Sequence, residues 1–171
     1  GMRDAGYRYV IIDDGWQGKR DEKGVLQPNE RFPDMKALAS YVHSKGLLLG
    51  IYSSPGHRTC GGFEGSHGHE RQDAQTWASW GIHYLKYDWC GARQIYPNED
   101  MPAVYQKMAE ALRETGRPVV YGICQYGEQE VQKWAPAAGG NLWRTTFDIR
   151  PTWESVSAIG FRQHEYSAFA K

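Results

Sequence analysis

Short apolar runs of β-favouring residues alternate with amphipathic helix-like runs along the whole chain. Tyr7–Asp13 (YRYVIID), Leu47–Tyr52 (LLLGIY), Tyr84–Asp88 (YLKYD), Pro118–Cys124 and Leu142–Thr145 read as strands. Met35–Lys45, Glu70–Trp80, Met101–Glu114, a short stretch at Glu128–Ala135, and Thr152–Phe161 read as helices. Gly46, Gly81 and Gly116 stand where a left-handed residue ends a helix. A strand that returns to the sheet through a helix pairs in parallel. The expected class is therefore α/β, as an open doubly wound sheet or a (β/α)8 barrel. A complete barrel takes about 250 residues, and this chain has 171. We read it as about five of the eight βα units, within a longer enzyme.

Composition excludes several functions. Lys+Arg and Asp+Glu are equal at 20 each. Without net charge or a basic run, a nucleic-acid or anionic-membrane partner has no support. No apolar stretch approaches the roughly 18 residues of a membrane span. No Gly-x-Gly-x-x-Gly or Gly-x-x-x-x-Gly-Lys follows a strand, which removes the main support for nucleotide binding. Seven Trp and eleven Tyr allow two readings, core packing or stacking on sugar rings. Cys60, Cys90 and Cys124 contain no C-x-x-C pair, so zinc or thioredoxin-like chemistry is not indicated. His57, His67 and His69 fall in a Gly-rich loop without a completing ligand, and we read a solvated loop and no metal. No cofactor is implied.

Polar residues collect at successive strand ends: Asp13-Asp14-Gly15-Trp16, Tyr52-Ser53-Ser54, Lys86-Tyr87-Asp88, Cys124-Gln125-Tyr126, then Arg144 with Asp148 beyond. In parallel α/β folds that end carries the active site. A single Asp there is often only a helix cap or turn residue. Five such ends in a row favour a site. Alternation puts Lys86 and Asp88 on one face, where an ammonium would favour an ionised carboxylate. Two carboxylates on different strand ends suit glycoside hydrolysis. Asp13 and Asp14 could bind sugar hydroxyls.

The segments GYRYVIIDDGWQ, RFPDMKALASYVHSKGLLLGIYSSPGHRTCGG, WASWGIHYLKYDWC, GRPVVYGICQYG and NLWRTTFDI resemble glycoside hydrolase family 27, the α-galactosidase family, in family order. The resemblance implies a (β/α)8 catalytic barrel and a retaining hydrolase. This chain would hold its second to sixth βα units over residues 1–171. The first strand, the last two strands and a C-terminal β domain would lie outside it. The resemblance makes Asp88 the nucleophile and Asp148 the acid/base. It implies substrate contacts at Asp13, Asp14, Trp16, Tyr52, Cys60, Lys86, Gln125 and Arg144, and a disulfide between Cys60 and Cys90. The substrate class implied is terminal α-galactosides, with periplasmic or secreted location. Three departures stand out. Gln125 replaces the Glu of many relatives, Phe147 replaces a small residue before the acid/base, and Cys124 has no later partner. Other sugars of the same family, or an inactive sugar-binding module, are the alternatives. Both carboxylates are present, which favours a hydrolase; the bulk of Phe147 favours the module.

Overall fold

A computed structural model describes residues 1–169; Ala170 and Lys171 lie outside the described residues. The chain opens with β1 (Tyr9–Ile11), then the hairpin strands β2 (Gln17–Arg20) and β3 (Leu26–Pro28). Next come α1 (Met35–Ser44), β4 (Leu48–Ser53), α2 (Glu70–Trp80) and β5 (Tyr84–Asp88). α3 (Met101–Glu114), β6 (Val120–Cys124), the single turn α4 (Val131–Trp134), β7 (Leu142–Trp143) and α5 (Trp153–Arg162) follow.

Local chemistry places the helix ends. The Asp34 carboxylate accepts from the Ala37 N–H at 2.8 Å and starts α1. Gly81, at φ 88°, closes α2 in a left-handed conformation that a side chain would resist. α3 buries Met101, Val104, Tyr105, Met108, Ala109, Ala111 and Leu112, the three-to-four spacing of an apolar stripe.

The five-stranded sheet runs β1-β4-β5-β6-β7, with every pair parallel. Sheet order therefore follows chain order. Crossovers that are right-handed and always step the same way put their helices on one face. A doubly wound sheet would reverse direction once. The sheet is an arc of a (β/α)8 barrel, five of its eight units. On the helix side Leu49, Ile51, Leu85, Tyr87, Tyr121 and Ile123 are buried with Trp77, Tyr105 and Met108. On the inner side Tyr52, Lys86, Gly122 and Leu142 share one register level. A Cβ on Gly122 would meet the Tyr84 hydroxyl at 2.5 Å, so a side chain there would displace that ring.

The expected elements are present but shorter at several ends. The run Tyr7–Asp13 pairs only over Tyr9–Ile11, and Glu128–Ala135 forms one turn at Val131–Trp134. The β2–β3 hairpin was not foreseen. Its strands are polar and lack alternation, and its turn is tied by Asp21, whose Oδ1 accepts from the N–H groups of Lys23 and Val25 at 2.9 Å. Arg20 pins the hairpin to α2 through both oxygens of the buried Asp73, at 2.6 and 2.8 Å.

Core packing accounts for much of the aromatic content. Trp16, Trp77, Trp89, Tyr52, Tyr87, Tyr105 and Tyr121 are essentially fully buried. Trp89 stacks on Tyr105 at 5.6 Å between centroids, and Tyr87 meets Tyr105 edge-on at 5.9 Å. Among the described residues no helix is long and apolar enough to cross a membrane.

Candidate active site

The C-terminal strand ends converge as parallel pairing requires. Asp88 and Cys124 are register partners on β5 and β6, and Tyr52 and Lys86 on β4 and β5. Lys86, Cys124 and Arg144 line a small cavity of about 120 Å³ on the inner face with Tyr84 and Gly122. A larger cavity, about 270 Å³, opens around Pro118 and Val119, just ahead of β6 and so at the opposite end of the strands.

Asp88 is 5% exposed. Its Oδ1 accepts from the Tyr126 hydroxyl at 2.6 Å and from the Cys90 N–H at 3.3 Å. Its Oδ2 accepts from the Cys124 thiol at 3.4 Å. Cys60 and Cys90 form a disulfide, and Cys124 is free and buried. Burial, helped by the charge of Asp88, pushes the Cys124 thiol up to about 12. Cys60, Cys90 and Asp88 lie close enough to suggest a metal triad, but disulfide sulfurs are not thiolates and leave one carboxylate.

Lys86 does not pair with Asp88 as the shared face suggested. Its ammonium bonds Asp13 across the sheet at 2.8 Å and lies 5.1 Å from the centre of the Tyr52 ring. Burial raises the Asp13 carboxyl, but the hydrogen bond and charge of Lys86 outweigh it and leave the carboxyl below its usual range. Asp14 Oδ2 accepts from the Gly61 N–H at 2.6 Å, whereas its Oδ1 is buried without a partner among the described residues. The hydroxyl of Tyr52, a residue 1% exposed, is likewise unpartnered. Burial first, and then the charges of Asp88 and Asp14, raise its phenol, which places both carboxylates near it.

Arg144 touches the expected acid/base directly and the expected nucleophile only through Cys124. Its guanidinium donates to Cys124 Sγ at 3.7 Å and pairs with Asp148 Oδ1 at 2.8 Å. The Asp148 side chain is 84% exposed, and no hydrogen bond joins it to Asp88. Two expected substrate contacts are corrected. Trp16 has no exposed surface; its indole N–H donates to the Tyr52 carbonyl at 2.9 Å, and its ring meets Trp80 edge-on. It packs beneath the site and offers no face to a sugar. Gln125 is also fully buried, its amide spent on its own turn, accepting from the Gly127 N–H and donating to the Glu128 carbonyl. The histidine loop is not simply solvated. Gly65 and Ser66 are buried, and His67 meets His57 edge-on at 4.3 Å and shares a hydrogen bond with Tyr96.

The sequence does not single out Tyr126. It was visible only as part of a strand end, and nothing local signals that its hydroxyl reaches β5. Phe147 stacks on it at 5.5 Å with an interplanar angle of 5°, which accounts for a large ring before Asp148.

A family model described as Alpha galactosidase A matches residues 1–168. The chain belongs to the α-galactosidase family, glycoside hydrolase family 27. It is similar to Alpha-galactosidase A of Cellvibrio japonicus (strain Ueda107), 51% identical over 155 residues, 90% of this chain and 37% of that protein. Among solved structures it resembles alpha-galactosidase I of Mortierella vinacea, with TM-score 0.82 and 41% identity over 90% of this chain and 41% of that one. The Saccharomyces cerevisiae α-galactosidase with raffinose aligns with TM-score 0.79 and 39% identity, over 90% of this chain and 36% of that one. The chain thus spans well under half the length of these family members.

Proposed function

We propose that this chain supplies the nucleophile, acid/base and sugar-binding side of a retaining α-galactosidase whose complete barrel extends beyond it. One observation carries the reading. A carboxylate, Asp88, ends β5, and the neighbouring ends of the same parallel sheet carry the partly exposed Asp13–Lys86 pair and Arg144 with Asp148. These carboxylate, ammonium and guanidinium groups can bind sugar hydroxyls, each both donor and acceptor.

In the first step the Asp88 carboxylate bonds to the anomeric carbon, the bond to the leaving oxygen breaks, and Asp148 gives that oxygen its proton. In the second step Asp148 takes a proton from water, the water oxygen bonds to the anomeric carbon, and Asp88 leaves as carboxylate. Two inversions return the original configuration. Retention asks for carboxyl groups about 5–5.5 Å apart. On this reading the Arg144 pair sets where Asp148 stands. The disulfide fits an oxidising compartment, and we assign the enzyme to the periplasm or the exterior.

The test is hydrolysis of an aryl α-D-galactopyranoside by the full-length enzyme carrying this chain, followed by proton NMR. The α anomer is expected first, with Asp88→Ala lowering kcat by about 10⁴-fold, the scale of losing a covalent catalyst. Early β-galactose would mean inversion and remove the nucleophile role of Asp88.

A further inference from the structure

Tyr126 adopts a backbone conformation that side chains resist, with φ 68°. Residues in this region persist where their surroundings over-determine them, and they cluster at functional sites. Here the surroundings are explicit. Gly127 lets the turn press against the segment after β7, since a Cβ there would fall on the Thr145 carbonyl. Phe147 covers one ring face in near-parallel stacking, and the Arg144 guanidinium lies 5.4 Å from the ring centre. The hydroxyl lies 2.9 Å from Cys90 Sγ and 3.7 Å from Cys60 Sγ. Disulfide sulfurs carry no proton, so the only O–H among these atoms is the phenol's own. It points to Asp88 Oδ1 at 2.6 Å.

The two oxygens of Asp88 are therefore unequal. Among the described residues Oδ1 takes a phenol O–H and a backbone N–H, while Oδ2 accepts only from a thiol, a weak donor. We propose that Tyr126, clamped by Phe147 and Arg144, is a positioning residue that fixes the Asp88 carboxylate by Oδ1 and leaves Oδ2 to attack the anomeric carbon. The proposal rests on the nucleophile role given to Asp88 above. As Oδ2 bonds to the sugar, negative charge leaves the carboxylate and the hydrogen bond weakens. When Asp88 departs in the second step, charge returns and the phenol stabilises it. A donor placed in this way helps breakdown of the glycosyl-enzyme more than its formation.

The test uses the full-length enzyme and begins with Tyr126→Phe, which keeps the ring and removes the hydroxyl. Steady-state kcat is expected to fall about tenfold, the size of one hydrogen bond to a charged group. KM falls with it, and a stoichiometric burst of aryl alcohol marks an accumulating galactosyl-enzyme. Phe147→Ala should weaken the same step, yet add little in the Tyr126→Phe background. A merely structural role would lower both steps and give additive losses, overturning the proposal. A second readout needs no substrate. Burial, the hydrogen bond to Asp88 and the Asp88 charge all raise the Tyr126 phenol. In enzyme whose tyrosines carry ¹³C at Cζ, Asp88→Asn should shift the Tyr126 Cζ resonance at neutral pH, where the phenol is protonated and its O–H loses a charged acceptor. A resonance that does not move would show the contact absent in solution and end the proposal. A moving resonance in an enzyme inactive on galactosides would remove the galactosidase reading and leave the Tyr126–Asp88 pairing standing.

Discussion

The Cys124 thiol lies between the expected nucleophile and the arginine that holds the expected acid/base. Its raised value, about 12 against an ordinary 9.0, has a direct consequence. At pH 8.5 an exposed thiol reacts readily with iodoacetamide, because part of it is thiolate. Cys124 should stay unlabelled in the folded enzyme and react at once on unfolding; rapid labelling of the native protein would contradict this. The sign for stability is equally definite. Between pH 9 and about 12 the folded state keeps a proton that the unfolded state loses, so this contribution is full below pH 9 and lost as pH rises through that window. Cys124→Ala should flatten the fall in the folded protein's stability across that range. The sequence foretold a thiol without a partner. The hydrogen bonds it makes were not legible, because Asp88 and Arg144 are 36 and 20 positions away.

Among the elements, the β2–β3 hairpin depends most on one long-range pair. Arg20 donates to both Asp73 oxygens and to the carbonyls of Gly65 and Gly24, and the Asp73 side chain is fully buried. Removing one partner of such a pair strands a charge out of water. Arg20→Met should cost about 3–5 kcal/mol, read as a lower urea midpoint at constant m-value in the full-length enzyme. A loss below about 1 kcal/mol would put the pair in the class of surface bridges. Hydrophobic periodicity shows why the barrel strands were legible and the hairpin was not. β4 and β6 are short runs of mostly apolar, buried residues, and β5 adds Leu85 and Tyr87 to the same core, whereas QGKR and LQP carry no alternation and hold together through a turn carboxylate and a distant helix.

At the scale of the whole molecule, both sheet margins expose apolar side chains. Val10 and Ile11 are 41% and 39% exposed on β1, and Leu142 is 45% exposed on β7. Beyond β7, Trp153 and Phe161 are 71% and 72% exposed and meet edge-on. In a closed barrel such margins are covered by neighbouring strands and helices. Residues 1–171 expressed alone should therefore aggregate or elute as heterogeneous oligomers in size-exclusion chromatography, without galactosidase activity. A cooperative melt from a soluble, active monomer would overturn this expectation.

The sequence by itself determined the parallel βα order, the end of the sheet that carries the polar groups, and the family. Each of these is a local pattern or an ordered set of motifs. Only the tertiary structure decided how the site is wired. It sent the Lys86 ammonium to Asp13 instead of Asp88, withdrew Trp16 and Gln125 into the packing, and brought the Tyr126 hydroxyl onto the Asp88 carboxylate. Those outcomes depend on strand register and on which donor lies nearest across a strand or a turn. Neither quantity is written in the spacing along the chain.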